Sequence, residues 1–264
     1  MTPAPIKYSL GLKLCLKRFT HLRMSYEISN KITLVTGANR GIGKAIVESF
    51  IQHGASKVYA GVRSLNKAEA LVAEFGEKIV PIEIDYENSV SIKAAAETAC
   101  DVQVVVSNAG VLVGANVMYE DVIAQFQTEL NINVYGLIHM AQAFAPVLKR
   151  NGGGAFVQLN SIASLSSFPR ASYPASKAAA YSFTQALRPI FKEQGTATLS
   201  VHPGPILTDM AISSGFAEDS DPPSVVSEGI VASLKEGKFH LFPDKMAKDY
   251  EKAYHNFAEA IIEA

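Results

Sequence analysis

The chain has 264 residues, 48% hydrophobic and 19% charged, with 24 basic against 25 acidic side chains and a formal net charge of −1. That apolar content rules out general disorder, and the near-neutral balance argues against nucleic acid as the main partner. Two cysteines cannot build a disulfide framework or a four-ligand metal site, and no apolar run nears the roughly 20 residues that span a bilayer. The expected compartment is cytoplasmic, unless the first residues address the chain to an organelle. Residues 1–23 carry Lys7, Lys13, Lys17, Arg18 and Arg23 and no acid, which leaves the remainder at a net −6. They read either as a transit segment or as sequence preceding a true start at Met24. On both readings they lie outside the fold, and residues 24–264 form one domain.

After Met24 the pattern alternates. Short β-rich runs are predicted at Lys31–Thr36, Lys57–Val62, Ile79–Ile84, Val102–Ser107, Ala155–Leu159, Thr198–His202 and Phe239–Phe242. Helical periodicity is predicted over Gly41–His53, Lys67–Phe75, Ser89–Thr98, about Tyr119 to Arg150, Tyr173–Gln194, Ser224–Lys235 and Lys245–Ile262. Apolar strands alternating with helices imply a mostly parallel α/β sheet covered on both faces, and right-handed crossovers make it doubly wound.

The first strand runs directly into Thr36-Gly37-Ala38-Asn39-Arg40-Gly41-Ile42-Gly43 and then a helix. Gly37 permits the tight turn, Gly41 lets backbone approach a pyrophosphate, and Gly43 lets helix and strand pack closely. A helix start adds free N–H groups and a positive dipole end. A glycine-rich turn without a ligand is the alternative, but the strand-to-helix placement favours a dinucleotide.

This loop, Asn108-Ala109-Gly110 after the fourth strand and Tyr173-Pro174-Ala175-Ser176-Lys177 together resemble the short-chain dehydrogenase/reductase family in its compact form. The landmarks run from Lys31 to about Met210. The resemblance implies a Rossmann-type fold of seven strands in the order 3-2-1-4-5-6-7, with the cofactor at the switch point between strands one and four.

Tyr173 and Lys177 lie four residues apart and so share one helix face. Free tyrosine has a pKa near about 10, and a neighbouring ammonium favours tyrosinate, making the phenol a usable acid or base. The reading therefore expects Lys177 to lower the Tyr173 pKa; a shift from 10 to 7 takes roughly 4 kcal/mol. The resemblance implies that Ser161 holds the substrate oxygen, with Asn160 next to it as the misalignment to exclude. It also implies that Asn133 holds a water near Lys177, with Asn131 as the competitor.

The ribose end points to NADP(H) over NAD(H). Where NAD-specific folds place an acid, at the end of strand two, stands Val62, followed by Arg63, and Arg40 adds a cation in the glycine loop. Two guanidinium groups suit a 2′-phosphate. By resemblance Asp85 meets the adenine amino group with Tyr86 beside it, although Asp85 capping the next helix is a structural alternative. Asn108, Ala109 and Gly110 approach the adenosine ribose. Pro203, Gly204, Ile206 and Thr208 seat the nicotinamide.

These residues imply an NADP-dependent oxidoreductase interconverting a carbonyl compound and an alcohol. A dinucleotide-binding regulator with little turnover is the alternative. The expected partner is a small apolar substrate, walled by Val111-Leu112-Val113, Phe168-Pro169 and Met210-Ala211-Ile212; self-association into a homo-oligomer stays open. The polar stretch Ser213–Pro223 has the composition of a mobile lid, and Arg170 is the nearby cation able to meet an anionic group.

Overall fold

The computed structural model describes residues 24–263; the expectations for residues 1–23 lie outside the described residues. In chain order the elements are β1 (Ile32–Thr36), α1 (Gly41–Gln52), β2 (Lys57–Val62), α2 (Glu69–Phe75), β3 (Ile79–Glu83), α3 (Ser89–Thr98) and β4 (Val104–Ser107). There follow α4 (Val122–Glu129), α5 (Gly136–Arg150), β5 (Gly154–Leu159), α6 (Ser172–Glu193) and β6 (Thr196–Val201). The chain closes with α7 (Asp209–Ser214), α8 (Ser224–Glu236), β7 (His240–Leu241) and α9 (Lys245–Phe257). The strands form one 7-stranded sheet in the order β3-β2-β1-β4-β5-β6-β7, parallel throughout. This is the doubly wound Rossmann-type architecture.

Period-two alternation along the strands divides the core into two layers. Val104 and Val106 of β4 face one side, with Val35, Val58 and Leu199, against Ile46 and Phe50 of α1 and Val226 and Ile230 of α8. Val105 faces the other, with Leu34 and Phe156, against Ile92 of α3, Leu137 and Phe144 of α5 and Phe191 of α6. Each layer is apolar and fully covered, which explains why the central strands carry almost no exposed polar residue.

Several elements differ from the sequence expectation, the helix expected over Lys245–Ile262 among them, which turns π-helical from Ala258. The segment from Tyr119 to Arg150 is not one helix: a π-helical turn, Leu130–Tyr135, separates α4 from α5. This turn carries the buried Asn133, discussed below, and hydrophobic periodicity cannot register a one-residue widening of a helix. The last strand shortens to His240–Leu241, paired with Ser200 and Val201 at the sheet edge. The polar stretch expected as a lid begins inside α7, which Thr208 caps by accepting the Ala211 N–H. Its far end is tethered: Asp221 accepts from Leu207 N–H and donates to the Pro205 carbonyl.

Phe156 of β5 meets Phe191 of α6 with ring centroids 5.1 Å apart, and both are fully buried. Phe156→Ala should therefore cost about 3–5 kcal/mol, read as a lowered urea midpoint with an unchanged slope.

Candidate active site

The ends of β1 and β4 are tied together first. The Thr36 hydroxyl accepts the N–H groups of Asn108 (2.9 Å) and Ala109 (3.0 Å), and Asn108 Nδ2 donates back to the Thr36 carbonyl at 2.8 Å. The crossovers leaving these two strands pass to opposite faces, so a crevice opens above this clamp. The glycine loop crosses it. A Cβ on Gly43 would run into the Gly37 carbonyl oxygen and the Asn108 amide, so only glycine lets α1 start this close to β1. Arg40 at the N-cap makes no side-chain cap and the first turn of α1 holds no acid, leaving its N–H groups to an anion. Ile42 packs onto the core beneath the loop. This backbone cradle fits the pyrophosphate of a dinucleotide.

The catalytic candidates converge on the neighbouring edge. Tyr173, Lys177, Ser161 and Asn133 are all buried. Lys177 Nζ donates to the Leu159 carbonyl at 2.9 Å and stands 5.8 Å from the Tyr173 ring centroid. Gly110 closes the gap: a Cβ there would sit 3.1 Å from Asn133 Oδ1 and 3.5 Å from Lys177 Nζ. The Asn108-Ala109-Gly110 turn thus joins the cofactor crevice to the lysine.

Two pairs of alternatives separate. Asn160 turns inward, its Nδ2 donating to Ser200 Oγ (2.9 Å) and Thr184 Oγ1 (3.3 Å), whereas the Ser161 hydroxyl, which donates to the Pro203 carbonyl and accepts the Ala163 N–H, lies beside Tyr173 and favours its ionisation. Asn131 accepts from Gln127 on the exposed side of its helix. Asn133 instead faces the site, accepting the Val111 N–H at 3.0 Å and donating to the Val111 carbonyl and Ser176 Oγ, both at 2.9 Å. The π turn presents it there.

The expected depression of the Tyr173 pKa is absent. Burial pushes the phenol up to about 12, opposed by the Ser161 hydrogen bond and reinforced by the Glu129 charge. Burial also brings Lys177 down to about 8, against the pull of Glu129. Desolvation outweighs the attraction between the two because both are enclosed by protein.

The outlying candidates vary in role. Tyr86 is buried, its hydroxyl 2.8 Å from Thr36 Oγ1 and 2.9 Å from Ser107 Oγ, so its side chain supports the clamp. Asp85 Oδ1 accepts the Glu87 N–H, while Asn88, not Asp85, caps α3. Arg63 is exposed past Val62, and Arg40 Nη1 pairs with Asp209 at 2.7 Å across an open cleft of about 460 Å³. Pro203 accepts from Ile162 N–H and Ser161 Oγ, and Ile206 is buried. The Thr208 hydroxyl donates to the Ile206 carbonyl. Phe168 stands 6.4 Å from the Tyr173 ring, centroid to centroid. Sequence reasoning missed two buried acids, Glu129 and Asp244. Asp244 braces the Gly204 N–H at 2.7 Å while capping α9; its place before an amphipathic helix was the available signal.

Residues 31–218 match the sequence profile of the short chain dehydrogenases. The chain belongs to that family. It is 32% identical over 199 residues to a short chain dehydrogenase of Monascus ruber, covering 70% of this chain and 65% of that relative's length. An uncharacterized oxidoreductase of Staphylococcus aureus strain N315 is 27% identical over 221 residues, 80% of this chain and 94% of its own. Among solved structures, a short chain dehydrogenase from Burkholderia cenocepacia in complex with NADP superposes with a TM-score of 0.81 at 31% identity, over 89% of this chain and 97% of that one. A Burkholderia phymatum enzyme in complex with NAD, 20% identical, shares the fold with a TM-score of 0.77 over 89% and 96% of the two chains. This short-chain dehydrogenase is accordingly an oxidoreductase of a family whose members act on small molecules.

Burial of Lys177 has a cost with a definite sign. The folded lysine releases its proton near pH 8 and the unfolded one near 10.5, so between these values the unfolded state binds more protons and stability rises with pH. Replacing Lys177 by Met should therefore raise the cofactor-free stability at pH 7 by about 1–3 kcal/mol, with the gain shrinking towards pH 10.5, as chemical denaturation across that range would record.

Proposed function

We propose that the protein is an NADP(H)-dependent oxidoreductase that interconverts a small, largely apolar carbonyl compound and its alcohol, with Tyr173 exchanging the proton. The observation that carries this reading is the buried group of Ser161, Tyr173 and Lys177, with Gly110 of the turn after β4 packed close to Asn133 and Lys177. When bound, the nicotinamide supplies or accepts the hydride. The remaining work falls to the chain. Ser161 orients the substrate oxygen, and Tyr173, protonated at neutral pH in this enclosed site, donates its proton to that oxygen during reduction. Lys177 offers a cation to the cofactor ribose and to the phenolate left behind; a positive nicotinamide beside it favours the phenolate in the reverse direction.

Cofactor preference rests on Val62, Arg63 and Arg40: a buried valine stands where an acid would meet a ribose hydroxyl, the exposed Arg63 follows it, and Arg40 adds a cation at the glycine loop. The NADP complex of the 31%-identical neighbour supports the same choice. Asn39 and Asp85, and the Pro203–Thr208 segment, complete the proposed cofactor contacts. The substrate side is lined by Val111 and Leu112 and by Phe168 near Tyr173, which suits an apolar molecule.

Tyr173→Phe should retain NADPH affinity in a fluorescence titration while losing at least about 100-fold in turnover, the share general acid catalysis supplies. NADPH bound but not consumed by unmodified protein, across a panel of aldehydes and ketones, would overturn the enzyme reading in favour of a dinucleotide-binding regulator.

NADPH should bind more tightly than NADH, and Arg63→Ala should weaken NADPH by about 10- to 100-fold while leaving NADH nearly unchanged. Equal dissociation constants in the unmodified protein would refute the preference.

A further inference from the structure

Glu129 is fully buried at the C-terminal end of α4, where it is used by none of the steps above. Its Oε1 accepts two consecutive N–H groups, Val113 and Gly114, each at 2.9 Å. Gly114 adopts φ +72°, the left-handed conformation that turns successive N–H groups towards one anion. The same loop is held on either side. Asn133, four residues after Glu129, clasps Val111, and Ser172 of α6 accepts the Ala115 N–H at 2.8 Å. The loop carrying the apolar substrate wall is thus fixed by side chains from α4, from the π turn that carries Asn133 and from α6, which carries Tyr173 and Lys177.

Holding the loop requires only an acceptor. A glutamine carbonyl would accept both N–H groups without the cost of burying a charge. Yet Glu129 Oε2 has no hydrogen-bond partner among the described residues. α4 packs directly against α6, and the charge of Glu129 acts on both Tyr173 and Lys177, opposing loss of the lysine proton and opposing formation of phenolate. The other ionisable groups at this cluster are Arg170, whose side chain packs against Gly114, and the buried His202, which feels the Lys177 charge and is itself held neutral.

We infer that Glu129 is a positioning residue of this active site, one oxygen fixing the substrate-side loop and its charge buried against the helix that carries Tyr173 and Lys177. The inference deepens the carbonyl-reductase reading and rests on it. It gives the two functions of one side chain separate signatures. Glu129→Gln keeps the acceptor and removes the charge. Glu129→Asp keeps the charge and withdraws the acceptor by one methylene.

The test is the pH profile of carbonyl reduction by the full chain, with folding of each variant checked by thermal melting. In Glu129→Gln the alkaline limb should move to lower pH by on the order of half a unit or more, with KM within about twofold of the unmodified protein. In Glu129→Asp KM should rise severalfold while the limb stays in place. A glutamine variant slowed equally at every pH, with its limb unmoved, would reduce Glu129 to a structural residue and overturn the inference. Should the glutamine variant fail to fold, the aspartate arm decides on the loop contact: a KM raised severalfold supports the assignment, and an unchanged KM rejects it. Should the unmodified protein reduce no carbonyl compound, the functional reading fails separately. The charge effect is then read by NMR titration of 13Cε-labelled lysine, with Lys177→Met assigning the resonance: a lower Lys177 midpoint in Glu129→Gln is expected, and an unchanged one overturns the inference.

Discussion

The Thr36 hydroxyl is the point on which the site depends. It accepts the N–H groups that β4 presents where its ladder ends, and it meets the buried Tyr86 hydroxyl from below. Without a partner those two N–H groups would be left unsatisfied close to the core, each costing about 1–3 kcal/mol. With it, Asn108 and Ala109 are locked over β1, and every later approach is measured from there. Gly43 comes as near as the Asn108 amide allows, and Gly110 follows Ala109 to Lys177 and Asn133. One hydroxyl therefore sets the distance between the glycine loop and the proton-transfer group.

The second constraint is exclusion of water. Tyr173, Lys177, Glu129 and His202 are all buried within one edge of the fold. Burial and the neighbouring His240 hold His202 neutral, down to about 3, while its ring stacks on Phe242 with centroids 5.0 Å apart. In so enclosed a region the charge of one residue reaches another with little screening. The phenol nevertheless does not simply respond to the lysine one helical turn away, because its own desolvation dominates. Its protonation is a property of the whole group, Glu129 included, and a bound cofactor would join it.

Rigid support and open surface divide the same elements. The Val111–Ala115 loop is held by Asn133, Glu129 and Ser172, and the Pro203–Gly204 turn by Asp244. By contrast, the glycine loop is tied to α7 by the exposed Arg40–Asp209 pair, a kind of contact worth at most about 1 kcal/mol. The acid–base side is thus preorganised, whereas the phosphate side stays open to an incoming ligand.

Much of this was legible in the residue order. Alternating strand and helix periods dictate a parallel doubly wound sheet, and the helix period puts Tyr173 and Lys177 on one face, because both are local geometric repeats. The family motifs singled out Ser161 and Asn133, but only packing separated them from Asn160 and Asn131, since which side a residue faces at a strand end or in a widened helical turn depends on its neighbours. The π turn itself, the capping of α3 by Asn88 rather than Asp85, and the tether at Asp221 were invisible to periodicity. So were the ionisation states. A sequence shows which charged groups exist; the pKa of Tyr173 follows from how completely it is desolvated and from Glu129, 44 positions away in the chain, and only tertiary structure brings those two together.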